Sequence, residues 1–172
     1  MRLTFSDAGL ADAPAIAALR NSTSQDLTAR FGKGHWSWAT SERGVTSALR
    51  HARIRIGRSG RRIVTALTLA TRKPWAIDVD YFTAVERPLY LTGMAVAVEH
   101  QGHGLGRQAL KDARRVAQSW PAGAIRLDAY NAPAGAGRFY ARCGYVERGR
   151  VKYKGEPLVY YELLLSLSLI HI

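Results

Sequence analysis

Cysteine is almost absent from this chain: Cys143 is the single one among 172 residues. One thiol excludes an internal disulfide and a zinc site built on cysteines. Lysine is scarce, with five against twenty arginines, and acidic residues are few, 13 against 25 basic ones. No apolar run approaches the roughly 18 residues that a membrane span needs. The opening "MRLTFSDAGLADAP" carries no long apolar segment behind its early charge, so no signal peptide is expected. A cytoplasmic protein with no membrane partner follows as the expectation. Repeats, linkers and low-complexity blocks are missing as well.

What remains is 47% hydrophobic and long enough for one domain with a real core. Net charge is +12, which favours anionic partners: nucleic acid, acidic lipid or a polyphosphate cofactor. Charge does not choose among them. The arginine bias, beside abundant alanine, reads as the mark of GC-rich coding. The last six residues, "LSLIHI", back-translate to CTG TCT CTT ATA CAC ATC, like a transposon end used in sequencing adaptors. The domain is therefore taken as 1–166, with 167–172 expected to be a non-native tail.

Alternation in "RLTFSDA" predicts a strand at Arg2–Ala8. Asp12 and Pro14 open a helix with Ile16 and Leu19 on its apolar face, extended by Leu27 and Phe31. "FGKGHWSW" is a glycine-broken loop, and Thr40–Ala52 reads as a helix weakened by Gly44. Ile54 and Ile56 alternate with Arg53 and Arg55 into the turn "GRSG", a hairpin. Leu89–Val98 is apolar enough for a central strand. Leu105, Ala109, Ala113, Val116 and Ala117 then recur at helical spacing until Pro121. "AIRLDAY" is a strand, "GRFYARCGY" a short helix capped by Gly144, and Val146 onward a hairpin turning at Gly155–Pro157. The element order is that of one mixed α/β domain.

Between the Leu89–Val98 strand and the following helix lie Gly102, Gly104 and Gly106. The first amides of a helix lack internal partners and sit at the positive end of its dipole. Glycines there allow unusual dihedrals and close approach, so Gly102–Arg107 reads as a phosphate or pyrophosphate site. A Walker loop is excluded, because Arg107 and Gln108 follow Gly106 where Lys-Ser/Thr belongs. The dinucleotide pattern is met only in its alanine-ended variant, by Gly104, Gly106 and Ala109 with Asp128 about 20 residues on. It falls mid-chain, after an antiparallel hairpin, where a doubly wound fold would not place it.

The other pattern is Q-x-x-G-x-G, at Gln101, Gly104 and Gly106. After the next strand come Asn131, the pair Phe139-Tyr140, and Gly144-Tyr145. In both motifs and in element order the chain resembles the GNAT superfamily of acyl-CoA N-acyltransferases. The resemblance covers most of Arg2–Leu165 and is strongest from Leu89 to Tyr145. It implies a mostly antiparallel, twisted sheet of six to seven strands flanked by about four helices. It also implies an enzyme that transfers an acetyl group from acetyl-CoA to a primary amine by direct attack in a ternary complex, without a metal.

Carried over residue by residue, the pyrophosphate donors are the backbone of Gln101, Gly102, His103, Gly104, Leu105, Gly106 and Arg107. Gly104 and Gly106 are the positions least tolerant of a side chain, and Arg107 and Lys111 add charge. The pantetheine arm pairs with the backbone of Ala95, Val96, Ala97 and Val98, where an amide near Ala95–Ala97 stabilises the oxyanion. Tyr140 is the proton donor to the leaving thiolate. Asn131 belongs to the cofactor site, with an inserted "APAGAG" lengthening its spacing to Tyr140. Candidates for the base that deprotonates the amine are Asp78, Asp80, Glu86, Glu99 and His100, with Glu99 and Glu86 first. Trp36, Trp38, Trp75 and Tyr81 are candidates for lining an acceptor pocket. The acceptor itself is not named by the sequence, and the protein is expected to be a monomer or homodimer.

Two rival readings stand beside this one. Six arginines between Arg50 and Arg62 could grip nucleic acid nonspecifically, although aromatic interleaving and any helix-turn-helix or zinc pattern are lacking, so nucleic acid is not the expected partner. A catalytically idle coenzyme A sensor would keep the glycines and dispense with Tyr140.

Overall fold

The computed structural model describes residues Met1–Leu165, so the six-residue tail lies outside the described residues. Among the described residues seven strands form one sheet in the order β1-β2-β3-β4-β5-β7-β6, with four α-helices. The strands are β1 Thr4–Asp7, β2 Arg53–Ser59, β3 Arg62–Ala70, β4 Pro88–Val96, β5 Ala124–Tyr130, β6 Val146–Tyr153 and β7 Glu156–Leu164. The helices are α1 Ala13–Phe31, α2 Glu42–Ala48, α3 Leu105–Ser119 and α4 Gly137–Arg142. β4 and β5 pair in parallel, Pro88–Tyr90 against Ala124–Arg126, with α3 as their crossover. The β1–β2, β2–β3, β5–β7 and β6–β7 ladders are antiparallel. The mixed, mostly antiparallel sheet with four helices is the architecture expected from the sequence.

The chain divides into two compact units, Met1–Ala70 with Thr92–Asp112, and Thr71–Leu91 with residues from Ala113 onward. In the first, Ile54, Ile56, Val64 and Ala95 from the strands pack on Ile16, Leu19, Val45 and Leu105 from the helices. Each aliphatic side chain so buried contributes about 1.5–3 kcal/mol. Pro14 starts α1 and Ser41 caps α2, its hydroxyl accepting from the Gly44 amide at 2.9 Å. α2 is shorter than the predicted Thr40–Ala52, because the chain leaves helical bonding at Ala48 and turns through Arg50 and His51. Phe31, predicted on the apolar face of α1, is exposed. From Arg20 onward α1 buries no side chain; its polar residues instead hold the following segment. Asn21 exchanges two hydrogen bonds with the Thr40 backbone, and Ser24 donates to the Trp36 carbonyl at 2.6 Å.

In the second unit Ile77, Phe82, Tyr90 and Tyr160 form an apolar cluster. Beside it Arg126 and Glu162 are buried together, Nε to Oε2 at 3.4 Å. Arg126 also donates to the Thr83 carbonyl at 2.6 Å, and the Thr83 amide donates to Glu162 at 3.3 Å. This pair pins the 71–87 segment onto the sheet. α4 ends where Gly144 takes φ +94, as its capping position predicts. The final hairpin turns at Lys154–Gly155, both with positive φ.

Candidate functional site

β4 delivers the chain to the glycine loop. Its last residues are followed by a 3-10 turn, Val98–His100, and then by Gln101–Gly104, all exposed, before Leu105 anchors the first turn of α3 in the core. Gly102 and Gly104 both take φ +80, and a Cβ at either would meet open space. Both stand directly before the N-terminus of α3, whose first amides have no partner within the helix. The loop therefore presents a backbone cradle that no side chain fills. Gly106 lies inside α3 and lacks a positive φ, so the conformational demand for glycine falls on Gly102 and Gly104.

The neighbouring groups have defined partners. Gln101 donates from Nε2 to the Val96 carbonyl at 3.0 Å, tying the loop to the strand. His103 Nδ1 lies 3.3 Å from the His100 carbonyl. The Ala97 amide donates to the Val64 carbonyl at 2.8 Å, so it belongs to the sheet and is not an oxyanion donor. Because successive strand amides point to opposite edges, the amide of Val96 faces away from β3. The side chain of Val96 packs on the core, while Val98 is half-buried. Arg107 and Lys111 are on the exposed face of α3.

Glu99 pairs with Arg62 across the same unit. A hydrogen bond from its own backbone, and then Arg62, hold its carboxyl below the ordinary carboxylate value. Glu86 lies before the other end of β4, exposed, its carbonyl accepting from the Gly123 amide at 3.2 Å. His100 is half-buried, and Asp78 and Asp80 are exposed, with Asp78 Oδ1 accepting from the Asp80 amide.

The second unit carries Tyr140, Asn131 and Asp128, which the sequence offered only as the acid of the dinucleotide pattern. Tyr140 is 7% exposed, edge-on to Tyr145 at 5.7 Å and tilted against Tyr161. Burial, and then the charge of Asp128, push its hydroxyl well above the ordinary phenol value. Asn131 is exposed; its backbone N–H donates to the Pro157 carbonyl at 2.9 Å. The inserted residues close a turn in which Gly135 approaches the Tyr130 carbonyl too closely for any Cβ.

Asp128 lies outside both acyltransferase motifs. It sits in β5 directly across the ladder from Tyr160, on a face shared with Arg126 and Tyr130. Burial raises its carboxyl above the ordinary value, and its charge in turn raises Tyr130, Tyr140 and Tyr160. Arg126, on the same face, is committed to Glu162. The available signal was the lone carboxylate inside the apolar run "AIRLDAY".

Of the aromatic candidates, Trp75 and Tyr81 line an open cavity of about 660 Å³ with Asp78, Lys152 and Tyr160. Trp36 donates from its indole to the Gly32 carbonyl at 2.9 Å, and Trp38 is exposed.

Four of the six arginines between Arg50 and Arg62 are ion-paired. Arg55 is 7% exposed and forks onto Asp112 of α3, at 2.8 and 2.9 Å, with Asp7 at 3.1 Å. Arg53 pairs with Asp7, Arg58 with Asp12 at 2.6 Å, and Arg62 with Glu99. These four cations are therefore engaged within the fold, while Arg50 and Arg61 are exposed.

The profile of the "Acetyltransferase (GNAT) family" matches residues 43–145, more than half of the chain and both ends of the loop described above. This chain belongs to the GNAT acetyltransferase family. It is an acetyltransferase of a family that uses acetyl-CoA. Solved structures agree on the fold. The ribosomal-protein-S18-alanine N-acetyltransferase from Escherichia coli superposes with TM-score 0.72 at 16% identity, over 99% of each chain. A ribosomal-protein-alanine N-acetyltransferase from Brucella melitensis gives 0.73 at 17%, over 95% of this GNAT chain and 100% of its own. A putative acetyltransferase from Salmonella typhimurium, yncA, solved with its cofactor acetyl-CoA, gives 0.71 at 16%, over 97% and 96%. Among curated proteins none matches in sequence. Among the described residues no helix is long and apolar enough to cross a membrane, and no three His, Cys, Asp or Glu gather as a metal site.

Proposed function

We propose that residues 1–166 act as one domain that transfers the acetyl group of acetyl-CoA directly to a primary amine. The observation that carries this reading is the cradle at the head of α3: two glycines at φ +80 with open space beside each. The backbone of Gln101–Arg107 fits a pyrophosphate, since it offers amides and a positive helix end and opposes no acidic side chain except Glu99, which Arg62 neutralises. Arg107 and Lys111 add positive charge. The backbone of Ala95–Val98 receives the pantetheine arm, with the Val96 amide, not that of Ala97, directed at the thioester oxygen. Acetyl-CoA supplies an acyl group activated as a thioester.

Asp128 removes the proton that the amine must lose. Its raised carboxyl is a stronger base than an ordinary aspartate, whereas Glu99 is held down and ion-paired, and Glu86 is exposed at the far end of β4. Tyr140 keeps its proton, so it donates a hydrogen bond to the leaving sulfur without ionising first. Asn131 belongs to the cofactor site in this reading.

Thermal unfolding with acetyl-CoA, NADPH and duplex DNA in parallel tests the reading. Acetyl-CoA at 100 times its Kd should add about 2.7 kcal/mol, several degrees for a domain of this size. Gly104→Glu, which forces a side chain into a left-handed position and sets a carboxylate in the cradle, is expected to abolish the shift. A shift with DNA alone would refute the assignment. Tyr140→Phe is expected to keep the acetyl-CoA shift and lower kcat by about 10²-fold; unchanged turnover would remove Tyr140 from the mechanism. Absence of turnover in the wild type, beside a normal shift, would favour a coenzyme A sensor.

A further inference from the structure

β4 stands fourth of the seven strands, yet two of its residues, Thr92 and Gly93, are exposed. Gly93 takes φ +60, so the strand is locally broken where it is open. Over this opening lies the side chain of Arg20, from α1 in the same compact unit. Its Nε donates to the Gly93 carbonyl at 3.0 Å and its Nη2 to the Thr68 hydroxyl at 3.0 Å. A Cβ at Gly93 would stand 2.7 Å from the guanidinium, so glycine admits the arginine.

The charge of Arg20 is unanswered. Both of its hydrogen-bond acceptors are neutral, and among the described residues no carboxylate pairs with it. Every other arginine drawn into this unit's interior has an acid: Arg55 has Asp112 and Asp7, and Arg58 has Asp12. Burial alone acts on Arg20, pulling its guanidinium below the ordinary value, which is the signature of a desolvated cation without a counter-ion. Two of its five N–H groups are spent; both on Nη1 and one on Nη2 remain, enough to grip a carboxylate with two parallel hydrogen bonds.

Gly93 lies three residues before Val96, on the strand that receives the acyl arm under the proposed function. We infer that Arg20 is an anion receptor beside the acetyl-transfer strand and that the acceptor is an amine carrying a carboxylate, of free amino-acid type. Its placement would select acceptors by the distance between amine and carboxylate. Asn21 and Ser24, next on the same helix, fix the 36–40 segment. This inference rests on the acetyltransferase reading.

The test is release of coenzyme A thiol from acetyl-CoA with the twenty free α-amino acids and, in parallel, their α-amides. The expected result is at least one free acid turned over roughly ten- to hundredfold better than its amide in kcat/KM, the range that a charge-assisted bond gives. Arg20→Gln should bring that acid down to the level of its amide, mainly through KM, and Arg20→Lys should restore part of the preference. A merely structural Arg20 would lower acids and amides alike. Equal turnover of acids and amides by the wild type, or a preference surviving in Arg20→Gln, would overturn the inference. So would failure of the whole panel in a protein that acetyl-CoA still stabilises, a result that leaves the acetyltransferase reading standing and points to a larger acceptor. Only the loss of acetyl-CoA stabilisation itself would bring down both. The acid-to-amide ratio of the wild type decides the matter even where Arg20→Gln fails to fold.

Discussion

Asp128→Asn is expected to make this protein more stable at neutral pH and nearly inactive. The two effects share one cause. Burial lifts the Asp128 carboxyl above its ordinary value of 3.8, so the folded protein holds this proton more firmly than the unfolded chain does. The stability that this tighter proton gives is fully present below pH 3.8 and is lost as pH rises from there through the raised folded value. At pH 7 the ionised, half-buried carboxylate is a cost, and asparagine removes it. Melting temperature should therefore rise at pH 7 and stay unchanged near pH 3, as a pair of thermal scans would show. Turnover should fall by about 10²–10⁴-fold, the usual worth of a positioned general base. The acid limb of kcat/KM in the wild type should lie above the ordinary carboxylate range and vanish in the variant. Retained activity would return the base to Glu99, Glu86 or water. Lost activity with lowered stability would mean that Asp128 is a structural acceptor instead.

The glycine loop was legible in the sequence because its physics is local. Left-handed dihedrals at Gly102 and Gly104 and an orphaned helix start depend on residues within a few positions, and the apolar periodicity of α3 announced the helix. Groups whose state depends on distant partners were not legible. Alternation put Arg53 and Arg55 on one side of β2 correctly, but only folding brings Asp112, 57 residues away, over Arg55. Glu99 stood beside the loop as a candidate base until Arg62, 37 residues earlier, took its carboxylate. In the sequence Asp128 stands only as the acid of the dinucleotide pattern, since the burial that raises it comes from pairing with β7 and from Tyr160. Arg20 gave no signal either: a lone arginine in a polar helix half is indistinguishable from a solvated one until the opening at Gly93 appears beneath it. Motifs therefore pointed to the proposed cofactor half of the chemistry, and the fold was needed for the charges proposed to act on the amine.

Asp112→Ala is expected to cause the largest loss of stability, about 3–5 kcal/mol, because it leaves a guanidinium buried without its main partner. Asp112 and Arg55 have side chains 4% and 7% exposed, and their two-pronged contact joins α3 to β2 in the unit that carries the loop. The remaining partner of Arg55, Asp7, is 48% exposed, and an exposed pair contributes only about 0–1 kcal/mol, so it compensates little. Urea unfolding should show the midpoint fall without a change in slope. Acetyl-CoA affinity should fall with it, since the helix that loses its anchor begins at Leu105, directly after Gly104. The double variant Arg55→Leu/Asp112→Leu is expected to recover most of the loss, because an apolar pair avoids the desolvation cost that the ion pair only offsets. Recovery of stability without recovery of acetyl-CoA binding would show that the pair orients the helix start. Recovery of both would make the pair a means of packing α3 and nothing more, and the cradle a property of the two glycines and the helix end alone.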